Sequence, residues 1–292
     1  MSLPRILLIG KNGQVGWELR RTLAPLGSVV AVDYPEIDLT DPDSIRRWVA
    51  DAAPQLIVNA AAYTAVDKAE VETDRAMQIN ALAPGLLAGE ARKRGALLVH
   101  YSTDYVYDGT KQTPYVEDDP PNPLSAYGRS KLAGDRAIQD SGCAHLIFRL
   151  CWVYGARGQN FMLTMMRLAR EREQLRVVAD QFGAPTWSRM IAEATGHAVG
   201  QAWRSNDLSQ HHGIYHLSAA GQTSWHGFAE AIINRMPAAS RKATGVAPIT
   251  TAHYPTPARR PACSVLSGEK LERTFGLRLP PWEESLPLVL ES

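Results

Sequence analysis

Short continuous apolar runs alternate with longer amphipathic stretches along the first half of the chain. A run that is apolar at every position is typical of a strand buried on both faces, whereas apolar residues that recur every three or four positions indicate a helix. The predicted strands are Arg5–Ile9, Ser28–Val32, Leu56–Asn59, Leu97–Ser102 and His145–Arg149. The predicted helices are Gln14–Leu23, Asp43–Ala52, Thr73–Arg94 and Ala126–Gln139. Strands joined by helices predict an α/β fold with a doubly wound parallel sheet.

The second half of the chain has a less regular pattern. Helical spacing is clear over Phe161–Glu173 and Trp225–Met236, whereas Pro237–Pro261 is rich in Pro, Ala and Thr and is predicted to be a loop. We therefore expect a sheet domain over residues 1–150 and a smaller C-terminal part over residues 151–292, interleaved with the sheet domain.

Composition excludes several classes of protein. Of the 292 residues, 45% are hydrophobic and 21% are charged, which is ordinary for a globular protein. The net charge of +1 provides no long-range attraction, so neither nucleic acid nor a membrane is an expected partner. The apolar run Ile6–Ile9 is too short for a membrane span or a signal peptide. Cys143, Cys151 and Cys263 are too few and too widely spaced for a disulfide framework or a zinc site, and they favour a reducing cytoplasm.

Three glycines, Gly10, Gly13 and Gly16, lie between the first predicted strand and the first predicted helix. Glycines in this context permit a tight turn and a close approach of the backbone to a pyrophosphate at the helix N-terminus. Asp33 follows the second predicted strand, where a carboxylate accepts hydrogen bonds from the adenosine ribose and repels a 2′-phosphate. A plain glycine-rich turn and a capping carboxylate are the alternatives. Together, the two features predict a dinucleotide site.

Further small and polar residues follow other predicted strands. Ligands of open parallel sheets bind at the carboxyl ends of the strands, so these residues are candidates for the same site. Asp38 and Leu39 lie where a loop can line the adenine. The segment 59–62, Asn-Ala-Ala-Ala, permits either close approach of a cofactor or simple tight packing. Thr103 and Asp104 follow the fourth predicted strand and provide a hydroxyl and a carboxyl group.

Tyr127 and Lys131 are four residues apart at the start of a predicted helix, so their side chains share one face of it. An exposed pair on a solvated helix face would be a sufficient explanation by itself. The order along the chain, however, is a glycine turn, an acid, a hydroxyl and then Tyr-x-x-x-Lys. This order resembles the extended short-chain dehydrogenase/reductase family, whose catalytic signature is Ser or Thr followed by Tyr-x-x-x-Lys.

Longer stretches narrow the resemblance to the dTDP-4-dehydrorhamnose reductases of that family, from about residue 5 to about residue 284. The stretches are GKNGQVGWEL, VNAAAYTAVDKAE, HYSTDYVYDGT, YGRSKLAGD, FRLCWVYG, DQFGAPT and YPTPARRPA. The resemblance implies a Rossmann-like fold in which residues 1–150 bind the dinucleotide and residues 151–292 bind the substrate. It also implies that NADPH or NADH reduces the C4 ketone of dTDP-4-dehydro-6-deoxy-L-mannose to dTDP-L-rhamnose, the last step of dTDP-rhamnose synthesis.

The resemblance implies a catalytic role for Tyr127, Lys131 and Thr103. A hydride that reaches a ketone carbon leaves an alkoxide, and Tyr127 would supply its proton. A free phenol has a pKa of about 10, which is too high for efficient acid catalysis at neutral pH, and a lysine ammonium four residues away would lower it. Lys131 would also bond the nicotinamide ribose, and Thr103 would position the substrate oxygen.

Two sets of binding residues are also implied by the resemblance. The cofactor residues are Gly10, Gly13, Gln14, Val15, Gly16, Asp33, Asp38, Leu39, Ala62, Tyr63, Thr64, Tyr101, Tyr127 and Lys131. The substrate residues are Thr103, Asp104, Trp152, Tyr254, Arg259 and Arg260. The two arginines would bind the diphosphate through their paired donors. A core aromatic is the alternative for Trp152, and a surface pair is the alternative for the arginines.

Two positions depart from the family pattern. Cys263 replaces the usual asparagine, and a thiol is a much weaker hydrogen-bonding group than an amide. Some members hold Mg²⁺ between two subunits with glutamates, of which Glu18 matches one, but Arg189 occupies the position of another and cannot ligate a cation. Glu291 aligns only loosely with a third. We therefore expect no tight magnesium site of this type, and either a monomer or a homodimer.

Two other functions are compatible with the same motifs. An epimerase or dehydratase acting on another nucleotide sugar would retain its NAD⁺ and return the hydride within each turnover. A regulatory protein on this scaffold, such as the regulatory subunit of eukaryotic methionine adenosyltransferase, would bind NADP without needing an acid. The complete set of Thr103, Tyr127 and Lys131 favours a reductase over the regulatory protein.

Overall fold

The computed structural model describes residues 3–205 and 211–291. Strands β1 to β5 are Arg5–Ile9, Ser28–Val32, Leu56–Asn59, Leu97–Thr103 and His145–Leu150. Strands β6 to β12 are Val153–Tyr154, Gln174–Val178, Phe182–Gly183, Thr186–Trp187, Gly213–His216, Thr223–Ser224 and Gly245–Ile249. Helices α1 to α5 are Gln14–Thr22, Pro42–Ala52, Thr73–Met77, Ala83–Arg94 and Ala126–Ser141. Helices α6 to α10 are Phe161–Glu171, Ser188–Arg204, Trp225–Arg235, Glu269–Phe275 and Trp282–Leu290.

Within the described residues, six strands form one parallel sheet in the order β10-β5-β4-β3-β1-β2. The chain runs from β1 outward to β2 and then returns to the other side of β1 with β3. This reversal opens a crevice at the carboxyl ends of β1 and β3, which is where ligands bind in such sheets. The prediction of a doubly wound parallel sheet is confirmed.

Alternate residues of each central strand pack against different helical layers. Ile6 and Leu8 lie in one apolar cluster with residues of α1 and α7. Leu7 and Ile9 lie in a second cluster with residues of α2, α4 and α5. Because both faces of the sheet are covered, every position of β1 after Arg5 is buried. This explains why the strands are continuous apolar runs.

The second half of the chain contributes to two layers. Helices α6, α8 and α10 pack around a separate apolar cluster that includes Met162, Phe228 and Leu286. Strand β10 instead extends the parallel sheet beside β5, and α7 packs against α1. The sheet layer therefore takes residues from both sides of position 150, and a division of the chain at that position stays a prediction.

The long helix predicted over Thr73–Arg94 is interrupted. A π-helical turn, Gln78–Leu82, separates α3 from α4. Pro84 lies in the first turn of α4 and has no backbone N–H to donate to the Asn80 carbonyl, and its ring would crowd that carbonyl in a continuous α-helix. The wider turn relieves this crowding.

The prediction of a loop over Pro237–Pro261 is wrong for part of that segment. Strand β12 lies within it and pairs in parallel with β7. Pro248 is tolerated in β12 because the two strands form a separate two-stranded sheet, in which β12 is an edge strand. The abundance of proline and threonine concealed the strand.

Candidate active site

Two adjoining cavities lie at the carboxyl ends of the strands. The first, of about 590 Å³, is lined by residues from the glycine turn, from the end of β4, from α5 and from the second half of the chain. The second, of about 710 Å³, is lined by the loop after β2 and by the start of the interrupted helix. Asp33, Ala61 and Ala62 line both cavities, so the two are neighbouring parts of one crevice.

The glycine turn fits a dinucleotide. Gly10 has a φ of +89°, and a Cβ built on it would lie 2.6 Å from the Ala61 backbone nitrogen. A Cβ on Gly16 would lie 1.9 Å from the Gly10 carbonyl oxygen, so Gly16 allows α1 to start directly against the turn. Gln14 and Val15, in the first turn of α1, line the first cavity. The helix N-terminus therefore lies at the cavity, and a helix N-terminus is a favourable place for an anion such as a pyrophosphate.

Asp33 is positioned by backbone groups on both sides. Its Oδ2 accepts from the Asn12 N–H at 2.9 Å, and its Oδ1 accepts from the Tyr34 N–H at 2.8 Å. The sequence analysis missed a neighbouring ion pair, in which Lys11 Nζ lies 2.6 Å from Glu36 Oε2. This pair places one cation and a second carboxylate beside Asp33. A lysine inside the glycine turn was the signal that could have found it.

The second cavity contains the predicted adenine residues Asp38 and Leu39. The Asp38 carboxylate accepts from the backbone N–H and the hydroxyl of Thr40, and these bonds lower its pKa. Asp74 and Arg75 of α3 line the opposite wall.

Tyr127 and Lys131 both line the first cavity. Helix α5 begins beside them because the Ser125 hydroxyl accepts from the Gly128 N–H at 3.1 Å and caps the helix. Lys131 is only 1% exposed, so a solvated helix face does not describe this pair. Its Nζ donates to the Tyr101 carbonyl at 2.6 Å and lies 3.1 Å from His100 Nε2.

The pKa values of Tyr127 and Lys131 both depart from the ordinary values of these side chains. Burial raises the pKa of the Tyr127 phenol, and the carboxylates of Asp104 and Asp135 add to the rise, while a hydrogen bond with Thr103 opposes it. The Lys131 amino group is bonded to residues of β4, and the expectation that it lowers the Tyr127 pKa stays a prediction. Burial lowers the pKa of Lys131 to about 8, and Asp135 opposes that change.

Thr103 and Asp104 form the wall next to Tyr127. The Thr103 hydroxyl donates to Asp104 Oδ1 at 3.1 Å and accepts from the Tyr105 N–H. Burial raises the pKa of Asp104 to about 6, although hydrogen bonds with Ser264, Cys151 and Thr103 oppose the rise. Asp104 is thus a buried carboxyl group that changes charge close to neutral pH.

Trp152 lines the first cavity in an unusual backbone conformation, with a φ of +43°. Its indole stacks on that of Trp225, with ring centroids 3.5 Å apart and planes 7° apart. Gly183 lies against the Trp152 indole as well, since a Cβ on Gly183 would be 2.4 Å from Trp152 Cε2. Trp225 also lines the cavity and was missed by the sequence analysis. Its only signal was its place at the start of a predicted helix.

Five residues predicted for the site line neither cavity: Gly16, Tyr63, Tyr254, Arg259 and Arg260. The Tyr63 phenol donates to Glu72 at 2.9 Å, while its backbone is held by the Asn80 side chain. Tyr254 is 58% exposed, and Arg259 is also exposed. The Arg260 guanidinium donates to both carboxylate oxygens of Asp67, at 3.0 and 2.8 Å.

The Asn80 amide was not predicted and connects three elements. Its Oδ1 accepts from the Tyr63 N–H at 2.8 Å, and its Nδ2 donates to the Tyr63 carbonyl and to the Ser130 hydroxyl, both at 3.0 Å. Asn80 lies in the π-helical turn, and Ser130 directly precedes Lys131. The amide therefore joins the segment after β3 to α5.

The residues considered for magnesium make other contacts. Arg189 Nε lies 3.3 Å from Glu18 Oε2, and Arg21 lies 3.6 Å from the same oxygen. Among residues 3–205 and 211–291, no group of three or more His, Cys, Asp or Glu side chains is arranged to hold a metal ion. The backbone of Cys263 forms a β-bridge with Phe182, and the neighbouring Ser264 is the residue that contacts Cys151.

Helices that are both long and apolar enough to cross a membrane are absent from residues 3–205 and 211–291.

Comparison with known proteins gives the family. The model of the RmlD substrate binding domain family matches residues 4–292. A curated dTDP-4-dehydrorhamnose reductase from Burkholderia thailandensis is 52% identical over 291 residues, which cover 98% of each chain. The chain belongs to the dTDP-4-dehydrorhamnose reductase family. The predicted resemblance and the prediction of an NAD(P)H-dependent oxidoreductase are confirmed.

Solved structures of the dTDP-4-dehydrorhamnose reductase family have the same fold. One from Clostridium acetobutylicum superimposes with a TM-score of 0.89 at 36% identity and covers 98% of both chains. One from Bacillus anthracis, in complex with NADP, has a TM-score of 0.88 at 34% identity and covers 100% of both chains. The prediction of a nicotinamide dinucleotide as the cofactor class is confirmed by the NADP complex of the Bacillus anthracis relative.

Proposed function

We propose that this protein catalyses the NAD(P)H-dependent reduction of the C4 ketone of dTDP-4-dehydro-6-deoxy-L-mannose to dTDP-L-rhamnose. One observation carries the proposal: Thr103, Tyr127 and Lys131 line the same cavity as the glycine turn. The name of the Burkholderia thailandensis relative supports the choice of substrate.

The cofactor would occupy both cavities. Gly10, Gly13 and the first turn of α1 would hold the pyrophosphate, and Asp33 would hold the adenosine ribose. Asp38 and Leu39 would line the adenine, and Ala62, Thr64 and Tyr101 would line the rest of the path. When bound, the reduced nicotinamide supplies the hydride for the ketone carbon.

Tyr127 would supply the proton. Because burial raises the pKa of its phenol, Tyr127 stays protonated at neutral pH until a stronger base forms beside it. The alkoxide produced at the ketone oxygen is such a base. The O–H bond of Tyr127 then breaks, the O–H bond of the product forms, and one proton from solvent restores the phenol in each turnover. Thr103 would position the ketone oxygen, and Lys131 would hold the nicotinamide ribose.

The sugar nucleotide would bind on the side of Trp152 and Asp104. The Trp152 indole would face the sugar, and the Asp104 carboxyl group would accept or donate a hydrogen bond to it. Tyr254, Arg259 and Arg260 would approach the diphosphate from the segment after β12. Since Arg260 is bound to Asp67 in the free protein, its contact with a phosphate would be shared with, or would replace, that ion pair.

A direct assay tests the proposal. Purified protein is mixed with NADPH or NADH and dTDP-4-dehydro-6-deoxy-L-mannose, and loss of reduced nicotinamide absorbance is followed together with the sugar product. Stoichiometric oxidation with dTDP-L-rhamnose as product is expected, and the two cofactors are ranked in the same experiment. Conversion of a sugar nucleotide without net cofactor oxidation would instead indicate an epimerase or dehydratase. Tight cofactor binding without any turnover would indicate a regulatory protein.

A further inference from the structure

His100 is a buried titratable residue that the proposed reaction does not use. It lies on β4, is 1% exposed, and its two ring nitrogens contact different side chains. Nδ1 lies 3.3 Å from Asn59 Nδ2, and Nε2 lies 3.1 Å from Lys131 Nζ. The ring thus connects the end of β3 to the lysine of the catalytic pair.

The orientation of the Asn59 amide decides which ring nitrogen carries the proton. Asn59 Oδ1 accepts from the Ala61 N–H at 3.2 Å, so Nδ2, which can only donate, is the atom that faces His100. His100 Nδ1 must then be the acceptor. A neutral imidazole with a free Nδ1 carries its hydrogen on Nε2. Burial and the charge of Lys131 lower the pKa of His100 well below its usual value, which agrees with a neutral ring.

This tautomer has a consequence for Lys131. The Nε2–H points at Nζ, and it can donate a hydrogen bond only if Nζ has a lone pair. A neutral amine has that lone pair, and it still donates to the Tyr101 carbonyl. An ammonium group has none, so two donors would face each other in a buried place. The contact therefore favours the neutral form of Lys131.

The other charged groups around Lys131 do not cancel this effect. Asp135, one turn further along α5, favours the ammonium form, but its carboxylate is shared with Arg149 of β5 at 3.2 Å. Tyr127 on the same helix is a neutral phenol. Asp104, in the turn after β4, acts on Tyr127.

We propose that His100 is a positioning residue of the reductase: through its Nε2–H it holds the Lys131 amino group and makes Lys131 release its proton more readily than an ordinary lysine does. The functional part rests on the function proposed above. Each reduction consumes one proton, and a lysine that exchanges its proton near neutral pH can return one to the Tyr127 phenolate. In that step an N–H bond of the ammonium form of Lys131 breaks and the O–H bond of Tyr127 forms, which leaves the neutral amine that His100 favours, and a proton from solvent later restores the ammonium.

The first test needs no substitution and no turnover. Nuclear magnetic resonance of ¹⁵N-histidine in the wild-type protein reports which ring nitrogen of His100 is protonated, and ¹³C-lysine reports the titration of Lys131, with Lys131→Met used for assignment. We expect a neutral ring with the hydrogen on Nε2, and a Lys131 titration well below that of exposed lysines. Hydrogen on Nδ1, with Nε2 free to accept from an ammonium, would overturn the proposal. Since these measurements use the protein alone, a failure of the proposed activity would not be mistaken for a failure here.

A double-mutant cycle separates the tautomer from simple charge. Asn59→Asp would accept from Nδ1–H, turn the Nε2 lone pair toward Lys131 and raise the pKa of Lys131 by about one unit or more. The same substitution together with His100→Phe adds the charge without the imidazole. We expect the Lys131 titration and the alkaline limb of the kcat/KM profile to move further with His100 than with Phe. Equal shifts in the two backgrounds would mean that His100 only fills space.

Discussion

On one side of the first cavity, Gly10, Gly13 and Gln14 come from a single strand–turn–helix unit. On the other side, Trp152 and Trp225 come from segments far apart in the chain and meet by stacking, with Gly183 from a third segment beneath them. The first side needs only local geometry, so the same pattern of residues builds it in many proteins. The second side depends on how the C-terminal part folds onto the sheet. Under the proposed function, the first side would hold the cofactor and the second would select the sugar nucleotide.

Tyr127 lines the same cavity as both sides, and its replacement is expected to have the largest effect. Tyr127→Phe removes the proton donor and keeps the ring, so kcat should fall by about 10²- to 10⁴-fold while the fold and cofactor affinity are retained. Steady-state kinetics and a cofactor titration check this. Near-normal turnover by the variant would mean that another group supplies the proton.

Gly16→Ala tests the side of the cavity formed by the strand–turn–helix unit. The new Cβ would lie 1.9 Å from the Gly10 carbonyl oxygen, a backbone atom that cannot move without opening the turn. We expect a loss of about 1–3 kcal/mol in the free energy of unfolding and weaker cofactor binding, measured by urea denaturation and a cofactor titration. Gly89→Ala in α4 is the matched control, because a Cβ there has no neighbour within 4 Å. Unchanged cofactor affinity in Gly16→Ala would contradict the proposed place of the pyrophosphate.

Gly183→Ala applies the same change, glycine to alanine, to the side of the cavity formed by Trp152 and Trp225. Its Cβ would displace the Trp152 indole, so the KM for the sugar nucleotide should rise by up to about tenfold, while the dissociation constant of the cofactor stays the same. Gly245→Ala is the control here, since a Cβ at that position of β12 also meets nothing within 4 Å. A change in cofactor binding equal to that in sugar-nucleotide binding would remove the distinction between the two sides.

The buried Asp104 carboxyl group is expected to make the stability of the protein depend on pH. Its pKa in the folded protein is about 6, above the ordinary value of 3.8 for an aspartate, so between about pH 4 and pH 6 the folded state holds a proton that the unfolded state has already released. The stability of the protein should therefore fall relative to Asp104→Asn as the pH rises through this window, by up to about 3 kcal/mol. Urea denaturation of both proteins at pH 4 and pH 7 measures the difference. Parallel pH profiles would show that the carboxyl group titrates normally.

Glu36→Gln is expected to have the smallest effect, on the choice of cofactor. Without the carboxylate, Lys11 is free to contact a 2′-phosphate, so the ratio of kcat/KM for NADPH to that for NADH should rise by about two- to five-fold. Lys11→Met should change the ratio in the opposite direction. A ratio that is the same in all three proteins would exclude Lys11 and Glu36 as determinants of cofactor preference.

The central sheet and the glycine turn were predictable because their signals are local. The apolar runs and the three glycines specify β1, the turn and α1 without reference to the rest of the chain. Contacts between distant segments were not predictable in the same way. In the sequence, His100 is one polar residue within a predicted strand. Only the packing of α5 against β4 brings its side chain next to Lys131. Likewise, the ion pair that holds Arg260 away from the cavities depends on Asp67, which follows a different strand.

The extra residue in the π-helical turn makes the helix length itself a part of the site. Deleting one residue between positions 78 and 82 would remove the extra residue of this turn and bring the Pro84 ring against the carbonyl of the preceding turn. Relief of that contact would move α3 relative to α4, and with it Asp74 and Arg75 in the wall of the second cavity. Insertions and deletions in surface loops are widely tolerated in proteins, whereas a change of a single residue here would reshape the second cavity.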